Sequence, residues 1–109
     1  MKREFIHSKP FSASWKRMGL GDAELRALEN ELLKNPQCGD VIPNLNGARK
    51  IRFQLQKGKS GGGRAIYIDI YEKEHIYLLF AYPKNVQGNL TPQQEKILKR
   101  MIDFIKESD

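Results

Sequence analysis

Three runs of β-branched and aromatic residues stand almost end to end in this chain: "RKIRFQL" at 49–55, "RAIYIDIY" at 64–71 and "HIYLLFAY" at 75–82. Only the glycine-rich "QKGKSGGG" and the turn "EKE" part them. Strands joined by connections this short pair antiparallel, because parallel strands need a long crossover. In the first run Ile51, Phe53 and Leu55 alternate with Lys50, Arg52 and Gln54. A strand has period two, so the apolar set faces a core and the polar set shares the opposite face.

Helical signals flank the strands. "REFIHS" at 3–8 reads as a short first strand, and "PFSASWKRMG" at 10–19 as a short helix or turn ended by Gly19. Asp22 is a fitting N-cap for a helix running to about Lys34, with Leu25, Leu28, Leu32 and Leu33 on one face. "NPQCGD" stops it. Thr91, Pro92 and Gln94 make a capping box with proline at N1, opening a last helix whose buried stripe is Ile97, Leu98, Met101, Ile102 and Ile105. The expected fold is α+β: a small antiparallel-type sheet in β-α-α-β-β-β-α order, with the helices packed on one face.

A chain of 109 residues is one domain, 1–109, able to bury about 65% of its unfolded surface. One cysteine, Cys38, excludes an internal disulfide framework and a cysteine-based zinc cluster. The start "MKREFIHSKPF" has no apolar segment of a signal peptide, and "IYLLFAY" is too short to span a bilayer. These features fit a reducing, cytoplasmic setting with no membrane partner.

The net charge is +6, and its placement is informative. From Val41 to Ile68 there is no Asp or Glu, while Arg49, Lys50, Arg52, Lys57, Lys59 and Arg64 all fall there. The rest of the chain balances at 13 basic and 13 acidic side chains. A basic stripe on one element is the footprint of a polyanion partner. The glycine loop is not a P-loop, since position 53 is Phe53 and a strand follows, nor a dinucleotide fingerprint, which must open a helix. His7 and His75 lack partners at metal-ligand spacing, so no metal or cofactor is expected. Asp69, the one acid in the three strands, reads as structural or outward-facing. What remains is a cation set. Lys50 and Arg52 share a face, Lys57, Lys59 and Arg64 bracket the loop, and "YPKN" adds Tyr82, Lys84 and Asn85 after the last strand. Such a set binds phosphate and stabilises the extra charge of a phosphoryl transition state without a metal. Tyr82 is placed to stack on a base or take part in proton transfer.

The combination "GARKIRF…GKSGGGRAIYIDI…YLLFAYPKN…LTPQQEKILKRMI" resembles the RelE/ParE superfamily of type II toxin–antitoxin toxins, in particular the HigB-like, RelE-like branch of mRNA interferases. The resemblance spans about residues 20 to 105. It implies a microbial-RNase-like fold, ribosome-dependent cleavage of mRNA in the A site through the substrate's own 2′-OH, no metal, and restraint by a cognate HigA-like helix-turn-helix antitoxin. It carries Arg64 and Lys84 to phosphate and transition-state charge. Arg52 and Lys50 go to the scissile phosphate or proton transfer, with Tyr82 nearby. Lys57, Lys59, Arg49 and Asn85 go to flanking mRNA or ribosomal RNA (16S). The C-terminal tyrosine or histidine that some members use has no counterpart in "FIKESD", and Val86 stands where glutamate often follows the Lys-Asn pair. The general base is open between a lysine and Tyr82. Competing readings are a ParE-like gyrase inhibitor, a non-catalytic RNA- or DNA-binding domain, and a plain interaction domain.

Overall fold

The computed structural model describes residues 2–55 and 62–108. Its elements run β1 (Glu4–His7), α1 (Lys9–Arg17), α2 (Asp22–Lys34), β2 (Asp40–Val41), β3 (Arg49–Phe53), β4 (Gly63–Ile70), β5 (His75–Pro83) and α3 (Pro92–Ser108). The three strands expected from their composition are β3, β4 and β5, and they form an antiparallel meander. β1 adds to β5 in parallel and the two-residue β2 extends β3, giving the order β1-β5-β4-β3-β2.

The class is the expected one, but the helices do not share one face. Phe11 and Trp15 of α1 and Leu28 and Leu32 of α2 pack with Ala65, Tyr67, Ile76, Leu78 and Ala81. Leu98, Ile102 and Ile105 of α3 pack with Ile66, Ile68, Leu79 and Tyr82, the residues of opposite parity. The cause is legible in β4 and β5. "AIYIDI" and "IYLLFAY" are apolar at odd and even positions alike, so both faces need cover. The alternation of β3 alone implies one dry face. A bulge in the β4–β5 ladder at Ile66/Tyr67 skips Leu79, which joins Phe80 in the α3 cluster.

α1 settles along the edge of β5 that β1 leaves open beyond Leu78. Ser8 caps α1 by accepting from the Phe11 amide at 3.1 Å, and its hydroxyl donates to the Leu79 carbonyl at 2.9 Å. Nearly two helix turns on, Ser14 Oγ accepts from the Ala81 amide at 3.1 Å. Two serines thus satisfy a strand edge that would otherwise invite another chain. They also fix the C-terminal end of α1 beside the end of β5. α2 begins at Asp22 rather than being capped by it: Gly21 precedes the helix, and its amide donates to the Glu24 carboxylate at 2.8 Å. The capping box of α3 is as expected, with Gln94 N to Thr91 Oγ1 at 3.1 Å and Thr91 N to Gln94 Oε1 at 3.0 Å. Its stripe is narrower: Leu98, Ile102 and Ile105 are buried, Met101 is half-buried and Ile97 is exposed. Among the described residues no helix is long and apolar enough to cross a membrane.

Two polar anchors hold the end of the sheet away from the basic loop. Arg3 makes a two-pronged contact with Asp69, at 2.7 and 3.2 Å, and its guanidinium lies over the Tyr71 ring. Asp69 is therefore structural. The Tyr67 hydroxyl accepts from the Gly39 amide at 2.9 Å and donates to the Pro36 carbonyl at 2.8 Å, all buried. Burial is the main reason its phenol is pushed up to about 12. The folded phenol holds its proton where the unfolded one, near 10, has lost it. Stability from this group is therefore full below pH 10 and is lost as pH rises from 10 towards about 12. Tyr67→Phe leaves a buried donor and acceptor unmatched and is expected to destabilise the fold by about 1–3 kcal/mol. Urea unfolding across that pH range checks both effects: the variant unfolds earlier and loses this part of the alkaline decline.

Candidate functional site

The β3–β4–β5 register puts Arg52 opposite Arg64, and Arg64 opposite Tyr82. Directly opposed residues project to the same face, with Cα atoms about 4.5–5.5 Å apart. Arg52, Arg64 and Tyr82 therefore form one row across the end of the sheet, on the face that α3 covers deeper in. Lys50 lies one row in, opposite Ile66. Like charges opposed on neighbouring strands destabilise a sheet. A pair of arginines is the arrangement to expect where an anion is to sit between them.

Within the row the environments differ. Arg52 is exposed. Arg64 is only 8% exposed, and one guanidinium nitrogen donates to the Gly63 carbonyl at 3.1 Å. That contact orients the fork before any ligand arrives. Gly63 has no room for a side chain, because a Cβ there would stand 2.5 Å from the Phe53 ring. Tyr82 is buried in the α3 cluster, and its hydroxyl has no hydrogen-bond partner among the described residues. Burial raises its pKa while the Arg64 charge pulls it down, and burial dominates. The phenol therefore keeps its proton near neutrality. That makes Tyr82 a hydrogen-bond donor and argues against it as the general base.

Beyond Pro83 the ladder continues by one bond, Lys84 N to Gly62 O at 3.0 Å. Lys84 itself stands in the turn that begins after Pro83. Its ammonium folds back over Gly88, where an added Cβ would lie 3.5 Å from Nζ. Asn85 is exposed in the turn that follows and lines a cavity on the other side of the sheet end. Lys57 and Lys59 lie outside the described residues.

Arg49 is not brought to the row. It pairs with Tyr67 on the opposite face. Its guanidinium donates to the Gln37 carbonyl at 3.0 Å, the Gly39 carbonyl at 2.8 Å and Gln37 Oε1 at 2.6 Å. Odd parity along β3 separates it from Lys50 and Arg52, and its donors hold the 37–39 turn in place. Sequence reasoning also passed over Arg17. That exposed residue in the last turn of α1 lines both cavities beside the end of β5. Its place follows from α1 lying on the strand edge, which no local pattern announces.

No protein-family model matches the chain. Solved structures do. The isolated E. coli RelE toxin aligns over 93% of this chain and 99% of its own, with a TM-score of 0.57 at 17% identity. The chain has the RelE fold. A doubly substituted E. coli RelE in the free state gives the same TM-score, 0.57, at 18% identity over 81% of this chain and 90% of that one. The intact E. coli RelBE toxin–antitoxin complex gives 0.55 at 19% identity, over 74% and 94%. These neighbours are RelE, alone or in complex, and lend no support to a HigB-like branch in particular. On the RelE fold of this chain the cationic row occupies the end of the sheet where β3, β4 and β5 finish or begin.

Proposed function

We propose that this chain is the toxin of a type II toxin–antitoxin pair and cleaves mRNA in the ribosomal A site. The observation that carries the reading is the row Arg52–Arg64–Tyr82, extended by Lys84. It sets opposed cations, one of them pre-oriented by burial, beside a protonated phenol. In the reaction the substrate's 2′-oxygen attacks the adjacent phosphorus and gives up its proton to a general base, the role left to a lysine of the cluster once Tyr82 is set aside. The bond to the 5′-oxygen breaks, and that oxygen leaves protonated. The products are a 2′,3′-cyclic phosphate and a 5′-hydroxyl end. Negative charge builds on the non-bridging oxygens, and Arg64, Arg52 and Lys84 are the donors that meet it. A phenol that keeps its proton suits donation to the departing oxygen.

The fold shared with RelE and the basic sequence between Val41 and Ile68 support an RNA substrate held on the ribosome. An antitoxin partner is proposed by analogy with the RelBE complex, and a helix-turn-helix protein of HigA type is the form the sequence resemblance suggests. Acidic segments on that partner would complement this surface and speed its capture.

Induced expression in a bacterial host, with and without the neighbouring reading frame, tests the reading. Growth is expected to stop with translation, and mapped mRNA ends are expected to fall within codons of translated messages. Growth arrest accompanied by DNA breaks and intact messages would instead assign the chain to the gyrase-inhibiting members of the superfamily.

A further inference from the structure

Two cavities flank the C-terminal end of β5, and they meet at Arg17, Met18, Pro83 and Val86. One, about 330 Å³, runs between the end of α1 and the end of β5, past Tyr82 and Gln94. The other, about 240 Å³, opens at the end of the sheet. Met18, Leu20, Leu55 and Val86 supply its apolar walls, and Arg17 and Asn85 its polar groups. Among the described residues neither cavity has a carboxylate in its lining. Two hollows elsewhere do: Glu24 and Glu31 line one beside α2, and Glu4 and Glu74 one beside β1.

The smaller cavity lies across the sheet end from the cationic row, and the turn that starts at Lys84 and carries Asn85 joins the two. A slot with apolar walls, one amide, one guanidinium and no acid suits a flat, uncharged heterocycle carried by an anionic backbone. A basic peptide side chain would meet Arg17 with nothing to neutralise it. An aliphatic one would leave the amide of Asn85 desolvated. We infer that this cavity is a base subsite: it takes one nucleobase swung out of a single strand next to the phosphate at Arg64 and Lys84. Asn85 bonds the edge of that base and Arg17 holds the flanking phosphate. Sequence-specific reading of RNA depends on such unstacked bases. The inference rests on the reading of RNA as the substrate and adds where, and by which residues, a base is selected.

The test is fluorescence anisotropy at low salt with short 2′-O-methyl oligonucleotides, oligoadenylate and oligouridylate. Each is made intact and with one abasic site moved along the strand. Loss of the base at one position is expected to weaken binding about tenfold to a hundredfold, with little effect elsewhere. Val86 is 74% exposed, so Val86→Asp alters the cavity mouth without touching the core, and an unchanged Tm checks this. That variant and Asn85→Ala are expected to erase the dependence on position. Arg17→Ala is expected to lower the salt slope by about one while leaving it in place. A flat abasic scan, a scan unchanged in Val86→Asp and Asn85→Ala, or no binding by the unsubstituted protein would overturn the subsite. Cleavage on ribosomes is scored separately. A flat scan with normal cleavage removes the subsite alone, whereas one sensitive position without cleavage keeps the subsite and removes the nuclease.

Discussion

Arg64→Ala is expected to slow single-turnover cleavage of mRNA on programmed ribosomes by about 10²–10³, with ribosome affinity changed far less. Loss of one pre-organised donor at developing charge has an effect of this size. Arg64 is the side chain of the row best placed to act in this way. It is 8% exposed, fixed by its bond to the Gly63 carbonyl, and set between Arg52 and Tyr82 by register. Arg64→Lys keeps the charge but loses the planar fork, so it is expected to recover only part of the rate. Because Arg64 is largely buried, thermal unfolding of both variants must accompany the kinetics. A normal rate once bound would move the chemistry away from this row.

Tyr82→Phe should separate catalysis from stability. The Tyr82 hydroxyl is buried without a partner among the described residues, so removing it breaks no bond found there. Stability is expected to stay within about 1 kcal/mol of the original or to rise, since an unmatched buried polar group is itself unfavourable. If the phenol donates to the leaving oxygen, cleavage falls about a hundredfold or more, with the melting temperature held. This is opposite to Tyr67→Phe, where both hydroxyl bonds are made to buried backbone and the loss appears as instability. Two tyrosines of adjoining strands, buried alike, are thus expected to differ in what their oxygens are for.

Much of this was readable in the sequence because it depends on local chemistry. The alternation of β3, the turn residues that follow β4 and the Thr91–Gln94 capping box are each set by neighbours in the chain, and each has its counterpart in the fold. The pairing of Lys50 with Arg52 on one face followed from period two alone. The two-sided burial of the sheet was also written in "AIYIDI" and "IYLLFAY", but β3 alternates more cleanly and drew attention to one face. Arg49 shows where local reasoning ends. Its spacing from Lys50 is plain, yet its donors go to Gln37 and Gly39, partners brought close only by the chain returning past β3. Arg17 is the converse, a surface residue given a role by the docking of α1 on β5 through Ser8 and Ser14.

The central claim is that this row of cations promotes attack by the substrate's own 2′-oxygen. It is tested most directly by single-turnover cleavage on ribosomes programmed with an mRNA carrying 2′-deoxy sugar at the scissile nucleotide. The account predicts no cleavage there, normal binding, and a 2′,3′-cyclic phosphate with a 5′-hydroxyl end on the unmodified message. Cleavage of the deoxy-substituted message at the ordinary rate, leaving a 5′-phosphate, would contradict it.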